Sequence, residues 1–481
     1  MSRADWTVAF GPIMLSLMFA EFVSAFETSM VFAALPTISR ESGDPVLVGW
    51  LVTGYLLVQA VSAALLGRLG DLFGRRDVLL LTLVLCAVGS LISAIASDLT
   101  TVVMGRAIQG MSGGILPLAC GLAREHIAPK QVPFCLGLLA MMVAFGAMIG
   151  LLSGGIITDH LHWLVLFQIT AVLAVVAAVC VFLSMPAGQK YNDGKPLDIL
   201  GGLLFGVAVA IILFGIGRGG HWGWGNWPTL AAIGSGSTLL LLWGGYEYRH
   251  PNPLINVRLL AERQIALASI SMAAMALAGL QVSLLFVMVL QQPTWTGIGL
   301  GLSATAAGLL KLPSNFSAVL GGPISGAIAS RRGTARGGAV FGSAVILLGF
   351  VWLSSFNQDV VSVVIASVTI TFGVGVAYAS VPILVSQVAP QERVSELIGM
   401  TAVIRSVFMA IGAQIIVVLL ATSTVRQGNL ILPSAQAFRA VFVYSIIASL
   451  VCLIFMWFLP RATARGKAES KSNLPGSAPS A

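Results

Sequence analysis

Fourteen apolar runs, each about 20 residues long, follow one another between residues 11 and 459. A run of that length, coiled as a helix, crosses ~30 Å of hydrocarbon with its backbone amides bonded inside the segment. The runs lie near 11–33, 48–69, 78–97, 102–123, 132–156, 162–185, 198–217, 228–245, 265–289, 302–324, 337–354, 360–385, 396–420 and 437–459. The longest polar stretches are a link at 246–264 and a tail at 460–481, and neither has the length to fold a catalytic domain. Charged residues make up 9% of the 481, against about 25% in a soluble domain. An all-α polytopic membrane protein follows, and any activity must sit within or between its spans.

The remaining charge is placed with a bias. With the N-terminus inside, 19 of the 26 Lys and Arg residues fall on the inner face, and only Arg40, Arg218, Arg426 and Arg439 fall outside. The positive-inside rule therefore predicts that both termini are cytoplasmic. The net charge of +8 is scattered over many short loops, which argues for topology and against a nucleic-acid patch. Cys86, Cys120, Cys135, Cys180 and Cys452 lie singly in apolar runs, so neither a disulfide framework nor a zinc site is expected. The first apolar run is long enough to remain as a span rather than serve as a cleaved leader. No GxxxxGK[ST] is present, so no nucleotide, and no other cofactor, is expected.

A weak repeat divides the chain. Gly67-Arg-Leu-Gly-Asp71-Leu-Phe-Gly74-Arg75-Arg76 after the second run is echoed by Gly326-Ala-Ile-Ala-Ser330-Arg-Arg-Gly333 after the tenth. Duplicated six-span halves with a binding site between them are a transporter architecture. The expected organisation is a first half at 11–185, two inserted helices at 198–245, a second half at 265–459 and a disordered cytoplasmic tail at 460–481.

Several motifs resemble the major facilitator superfamily, and within it the fourteen-span drug:proton antiporter branch. Phe26-Glu27-Thr-Ser-Met-Val-Phe-Ala-Ala-Leu35-Pro36 is similar to the branch's LDxTxVxxALP signature, with Glu27 in place of Asp. Trp50-Leu-Val-Thr-Gly-Tyr55 opens the second span, and Gly67 to Arg76 matches the superfamily's loop motif. Arg106-Ala-Ile-Gln109-Gly110, continuing through Gly113, Gly114 and Pro117, matches the fourth-span motif, and Arg405 and the inserted pair also fit. The fifth-span antiporter motif GxxxGPxxGG reads Gly146-Ala-Met-Ile-Gly150-Leu151-Leu-Ser-Gly154-Gly155, with leucine at the proline position. The WRWIF that usually follows reads Trp163-Leu164-Val165-Leu166-Phe167. The resemblance implies a major facilitator fold of two six-helix halves plus two inserted helices. It also implies a proton-coupled exporter of the inner cell membrane, working as a monomer on a small-molecule substrate within the lipid bilayer.

Ionisable groups inside spans are costly unless paired or hydrated, which singles out Glu21, Glu27, Arg106, Lys311 and Arg405. Glu27 and Arg106 both fall roughly 6–9 Å below the outer surface. A carboxylate alternating between charge states beside a guanidinium suits proton coupling; a static pair pinning two spans is the other reading. Glu21, ~9 Å along the same helix, is a second protonation site, an anchor for a cationic substrate, or a structural hydrogen-bond partner. Lys311 and Arg405 lie near mid-membrane, and with Gln109 and Gln281 they complete the expected cavity set. Three intramembrane cations against two carboxylates keep an anionic or zwitterionic substrate open.

In the resembled family the Gly67, Asp71, Gly74, Arg75, Arg76 loop forms a cytoplasmic charge latch on a helix N-terminus of the opposite half, and Glu125 is placed to pair with Arg75. Gly146, Gly150, Gly154 and Gly155 are expected to let helices approach closely, and Trp222, Trp224 and Trp227 to anchor the outer interface. A membrane acyltransferase is disfavoured, because none of His126, His160, His162, His221 and His250 has an acid four or five residues later.

Overall fold

The computed structural model describes residues 3–42, 45–186, 198–251, 253, 255–302, 304–427 and 430–459. The tail at 460–481 and most of the link at 186–197, with Lys190 and Lys195, lie outside the described residues.

The apolar runs become helices that bond their own backbone, the solution a hydrocarbon solvent demands. The first half comprises α1 (Arg3–Ser42), α2 (Pro45–Phe73), α3 (Arg75–Ala94), α4 (Leu99–Gln109), α5 (Ile115–His126), α6 (Val132–His160) and α7 (Val165–Ser184). The pair expected as an insert corresponds to α8 (Ile199–Trp222) and α9 (Trp227–Arg249), followed by the one-turn α10 (Val257–Leu260). The second half comprises α11 (Arg263–Leu277), α12 (Val282–Gln291), α13 (Ala304–Arg332), α14 (Arg336–Ser355), α15 (Val360–Val388), α16 (Val394–Ala421) and α17 (Ala435–Trp457).

Eleven segments among the described residues are long and apolar enough to span a membrane. The runs expected at 102–123, 228–245 and 302–324 are also helical but fall outside that set. The first is not one helix: a 3-10 turn, Gly110–Gly114, separates α4 from α5. A methyl added to Gly110 would meet the Tyr55 carbonyl at 2.6 Å, and one on Gly113 the Gln59 carbonyl at 2.0 Å. Glycine thus lets the broken helix lie directly on α2. A second 3-10 turn, Gly279–Gln281, splits the run at 265–289 into α11 and α12. In the second excluded run, α9, a Gly234-Ser235-Gly236-Ser237-Thr238 stretch dilutes the apolar character. In the third, α13 carries Lys311, Pro313 and Pro323.

One element was not expected. Thr424–Gln427 (β1) pairs antiparallel with Leu430–Pro433 (β2), Thr424 opposite Pro433. Its signal is in the sequence, where Gly428-Asn429, a hairpin-turn pair, lies between β-branched and apolar residues.

The duplication is visible in local chemistry. Asp98 caps α4 by accepting the Thr101 amide at 2.9 Å, and Asp359 caps α15 by accepting the Ser362 amide at 2.8 Å. These bonds hold both carboxyls below the usual carboxylate range, as charge near helix N-termini does. Gly74 and Gly333, the last glycines of the repeated motif, both take positive φ, 106° and 67°.

The halves meet where α2 crosses α16 and where α6 crosses α13, and α8 lies against both α2 and α16. Both crossings are backbone-close. A methyl on Gly399 would sit 2.1 Å from the Ala63 carbonyl, and one on Gly137 2.4 Å from the Gly322 carbonyl. Among the expected packing glycines, Gly146 and Gly150 press on α1 at the Phe22 and Phe26 carbonyls. Gly154 is buried and Gly155 half-buried, and a methyl added to Gly155 would meet nothing within 4 Å.

Candidate functional site

Between the halves lies a cavity walled by α1, α2, α5, α6 and the Gly110–Gly114 turn on one side and by α15 and α16 on the other. Glu21 and Arg405 both line it. Each is short of partners: Glu21 Oε2 and Arg405 Nε are buried without a hydrogen bond. The Arg405 Nη1 donates to the Tyr378 hydroxyl at 3.3 Å, and the guanidinium lies 5.6 Å from that ring's centroid. One carboxylate and one guanidinium, incompletely satisfied on a shared wall, can take up a proton and a polar ligand group respectively.

A polar chain leads from this wall into the first half. Gln59 Nε2 donates to the Thr28 hydroxyl at 2.9 Å and the Tyr55 hydroxyl at 3.1 Å. The Tyr55 hydroxyl bonds to Thr28 at 2.8 Å and to Ser112 at 2.9 Å. The Arg106 guanidinium stacks 3.8 Å from the Tyr55 ring centroid. Beyond it, Arg106 Nη1 donates to Gln109 Oε1 at 2.9 Å, and Gln109 Nε2 donates to Ser90 Oγ at 2.6 Å.

Glu27 closes that chain, in a different way from a simple ion pair. Arg106 Nη1 donates to the Glu27 backbone carbonyl at 3.1 Å, and its Nε to the Leu51 carbonyl at 3.3 Å. The Glu27 carboxyl instead accepts from Ser90 at 3.4 Å, and its Oε2 has no partner. Equal depth did bring Glu27 and Arg106 together, both being at most 1% exposed. The guanidinium satisfies the helix backbone, and the carboxyl keeps only its bond from Ser90.

The other expected cavity residues are elsewhere. Gln109 sits in the Arg106 chain. Gln281 Nε2 donates to the Ala276 and Met409 carbonyls at 3.0 and 2.8 Å, tying the second 3-10 turn to α16. Lys311 is buried among α12, α13 and α15, its Nζ 3.4 Å from Ser367 Oγ and 5.0 Å from the Phe286 ring centroid. No carboxylate among the described residues lies within ion-pair distance of it.

At one end of the bundle the loop motif makes a crossing between halves. Arg75, 1% exposed, donates to Asp71 Oδ1 at 2.8 Å, to Ser395 Oγ at 3.1 Å, to Glu125 Oε2 at 3.2 Å and to the Gln391 carbonyl. Asp71 Oδ2 accepts the Glu396 amide at 3.0 Å, in the first turn of α16, where a helix dipole favours an anion. Gly67 allows it, since a methyl there would lie 2.5 Å from the Ser395 carbonyl. Arg76 is not part of this group. It turns to α7, donating to the Phe182 carbonyl at 2.9 Å.

Glu396 was not singled out by sequence, yet it joins three regions. Its carboxylate is 3.6 Å from Arg68 of the first half and 3.0 Å from Arg393 at the start of its own helix. It also accepts the Asn256 amide at 2.6 Å, in the connector that follows the inserted pair. The preceding amide, Ile255, donates to Glu247 of α9 at 3.3 Å, and the Ile255 side chain is fully buried with Ala64, Phe205, Trp243 and Met400. The signals present were an acid three residues after Arg393 at the start of an apolar run and, for the polar chain, Tyr55 and Gln59 four apart in another.

Comparison with known proteins agrees with this architecture. The family model described as Major Facilitator Superfamily matches residues 17–413. The multidrug transporter protein MdtP of Bacillus subtilis is 27% identical over 428 residues, covering 87% of this chain and 76% of the relative. The tetracenomycin C resistance and export protein of Streptomyces glaucescens is 25% identical over 412 residues, covering 84% and 74%. For other curated relatives the chain spans about half to two-thirds of their length. The crystal structure of the human organic anion transporter MFSD10 (TETRAN) superposes with a TM-score of 0.67 at 13% identity, covering 92% of this chain and 99% of that one. The chain is a multi-span membrane protein, and it belongs to the Major Facilitator Superfamily.

Proposed function

We propose that the chain is a secondary active transporter of the fourteen-span drug:proton antiporter type, exporting lipophilic organic compounds from the cell by alternating access. The observation that carries this reading is the cavity between the halves, walled by Glu21 and Arg405 and joined through Gln59, Tyr55 and Arg106 to the free carboxyl oxygen of Glu27. Glu27, Glu21 and Arg106 form its proton-coupling group. The Asp71–Arg75–Glu125 group is the latch that holds one face closed, and the bias of Lys and Arg puts that face and both termini in the cytoplasm. The functional units are then 11–185, the inserted 198–245 and 265–459. A membrane potential supplies ~2.3 kcal/mol per charge per 100 mV, and a proton at Glu27 can draw on it. The name of the tetracenomycin C resistance and export protein supports export as the direction.

The test is efflux in everted vesicles with and without an uncoupler. Glu27→Gln is expected to yield folded protein whose uncoupler-sensitive transport falls at least about tenfold, the scale on which a relayed proton step acts. Full retention of driven transport would remove Glu27 from the mechanism. A second reading, transport of an anionic or zwitterionic compound with import as one possible direction, is favoured by the unpartnered Nε of Arg405 on the cavity wall and by Leu151 in the antiporter motif. Competition of anionic against cationic dyes in the same vesicles separates the two.

A further inference from the structure

The second copy of the loop motif lacks the acid, and its two arginines stand before the last glycine instead of after it. Where Asp71 holds Arg75, the second half has Ser330 followed by Arg331 and Arg332, all exposed. Arg332, Thr334 and Arg336 line an open pocket whose remaining walls are Gly337, Val340, Phe341 and Trp457. Arg332 lies along the first turn of α14, its Nη1 3.4 Å from where a methyl on Gly337 would stand. The Arg336 guanidinium lies 5.1 Å from the centroid of the Trp457 ring. Among the described residues no carboxylate lies within ion-pair distance of either arginine, and α14 has no acid in its first turn. The aromatic walls are turned outward: Phe341 is 47% exposed and Trp457 56%.

We propose that this pocket binds the headgroup of one anionic phospholipid from the bilayer. The chemistry is graded along the pocket. Two guanidiniums, which match phosphate oxygens in geometry, stand at the end of α13 and the start of α14. Trp457 ends α17 at the same level, the depth at which tryptophan sits against headgroups. Phe341, more than a turn further into α14, continues the pocket along the helix surface that faces acyl chains. A free phosphate would use the arginines but have no use for an aromatic wall opening sideways. The two charges and the apolar flank together select a lipid.

The experiment is native mass spectrometry of the full chain, released from nanodiscs of phosphatidylcholine and phosphatidylglycerol in equal amounts. One phosphatidylglycerol is expected to stay bound in preference to phosphatidylcholine. Arg332→Gln and Arg336→Gln should each lower that preference by about fivefold, the effect of one basic residue near an anionic surface. Arg331→Gln, outside the pocket, should leave it unchanged. Equal retention of the two lipids by the unaltered chain would overturn the proposal, and that comparison needs no variant to fold. So would undiminished preference in the two pocket variants, or displacement of the bound phosphatidylglycerol by millimolar inorganic phosphate, which would mark a simple anion site.

Discussion

The two copies of the loop motif have the same backbone and opposite fates. Both end a long helix at a glycine of positive φ, Gly74 at 106° and Gly333 at 67°. In the first copy Asp71 and Arg75 are at most 1% exposed and bond across to α16. In the second, Ser330, Arg331 and Arg332 are exposed. Glycine fixes both turns, but the arginines differ in place as well as in partner: Arg75 follows its glycine, whereas Arg331 and Arg332 precede theirs and Thr334 stands where Arg75 would be. An unpaired buried guanidinium costs several kcal/mol, so without an acid the arginines stay at the surface. The two turns are alike, and the one carrying both Asp71 and Arg75 forms a junction between halves.

The sharpest way to break this contrast is to remove that acid. Asp71→Asn leaves Arg75 buried with one carboxylate fewer, a loss on the order of 3–5 kcal/mol. Transport in vesicles should fall by at least about tenfold, since 1.4 kcal/mol already moves a two-state balance that far. Ser330→Asp, the mirror change, should leave transport within about twofold, because an exposed pair contributes little. Equal effects of the two substitutions would mean that the copies are not functionally distinct. A smaller effect is expected at the far side of the same junction. Glu396→Gln weakens bonds to Arg68 and Arg393 and should cost about 1–3 kcal/mol, read as a lower midpoint of thermal unfolding in detergent. An unchanged midpoint would exclude Glu396 as a tie between halves. The smallest effect is at the second turn. Gly333→Ala meets open space, so only backbone strain of roughly 1 kcal/mol remains. Its midpoint should drop by a few degrees with transport intact.

What the sequence made legible follows from range. Asp71, Gly74, Arg75 and Glu125 were readable because a short motif with a family likeness states its own turn and charge. Depth along a span was readable from counting, and it put Glu27 beside Arg106. The azimuth of a side chain was not. These helices are apolar on the faces toward lipid and toward neighbours alike, so no moment marks the inward side. That is why Lys311, Gln109 and Gln281 were expected on the cavity wall and lie elsewhere, while Gln59 and Tyr378 were missed there. The 3-10 turn at Gly110–Gly114 was hidden in the same way: its glycines read as part of the fourth-span motif, and only the structure shows that the helix breaks there against α2.

The connector after the inserted helices has a consequence for how such a chain can vary. Two consecutive amides, Ile255 and Asn256, are held by carboxylates from different helices, Glu247 and Glu396. One residue of extended chain spans about 3.3–3.6 Å, more than a hydrogen bond can stretch. The step from Ile255 to Asn256 thus acts as a ruler: a residue added there would forfeit one bond or the other. The inserted pair is gauged to the junction it borders, and its connector can tolerate changes of side chain far better than changes of length.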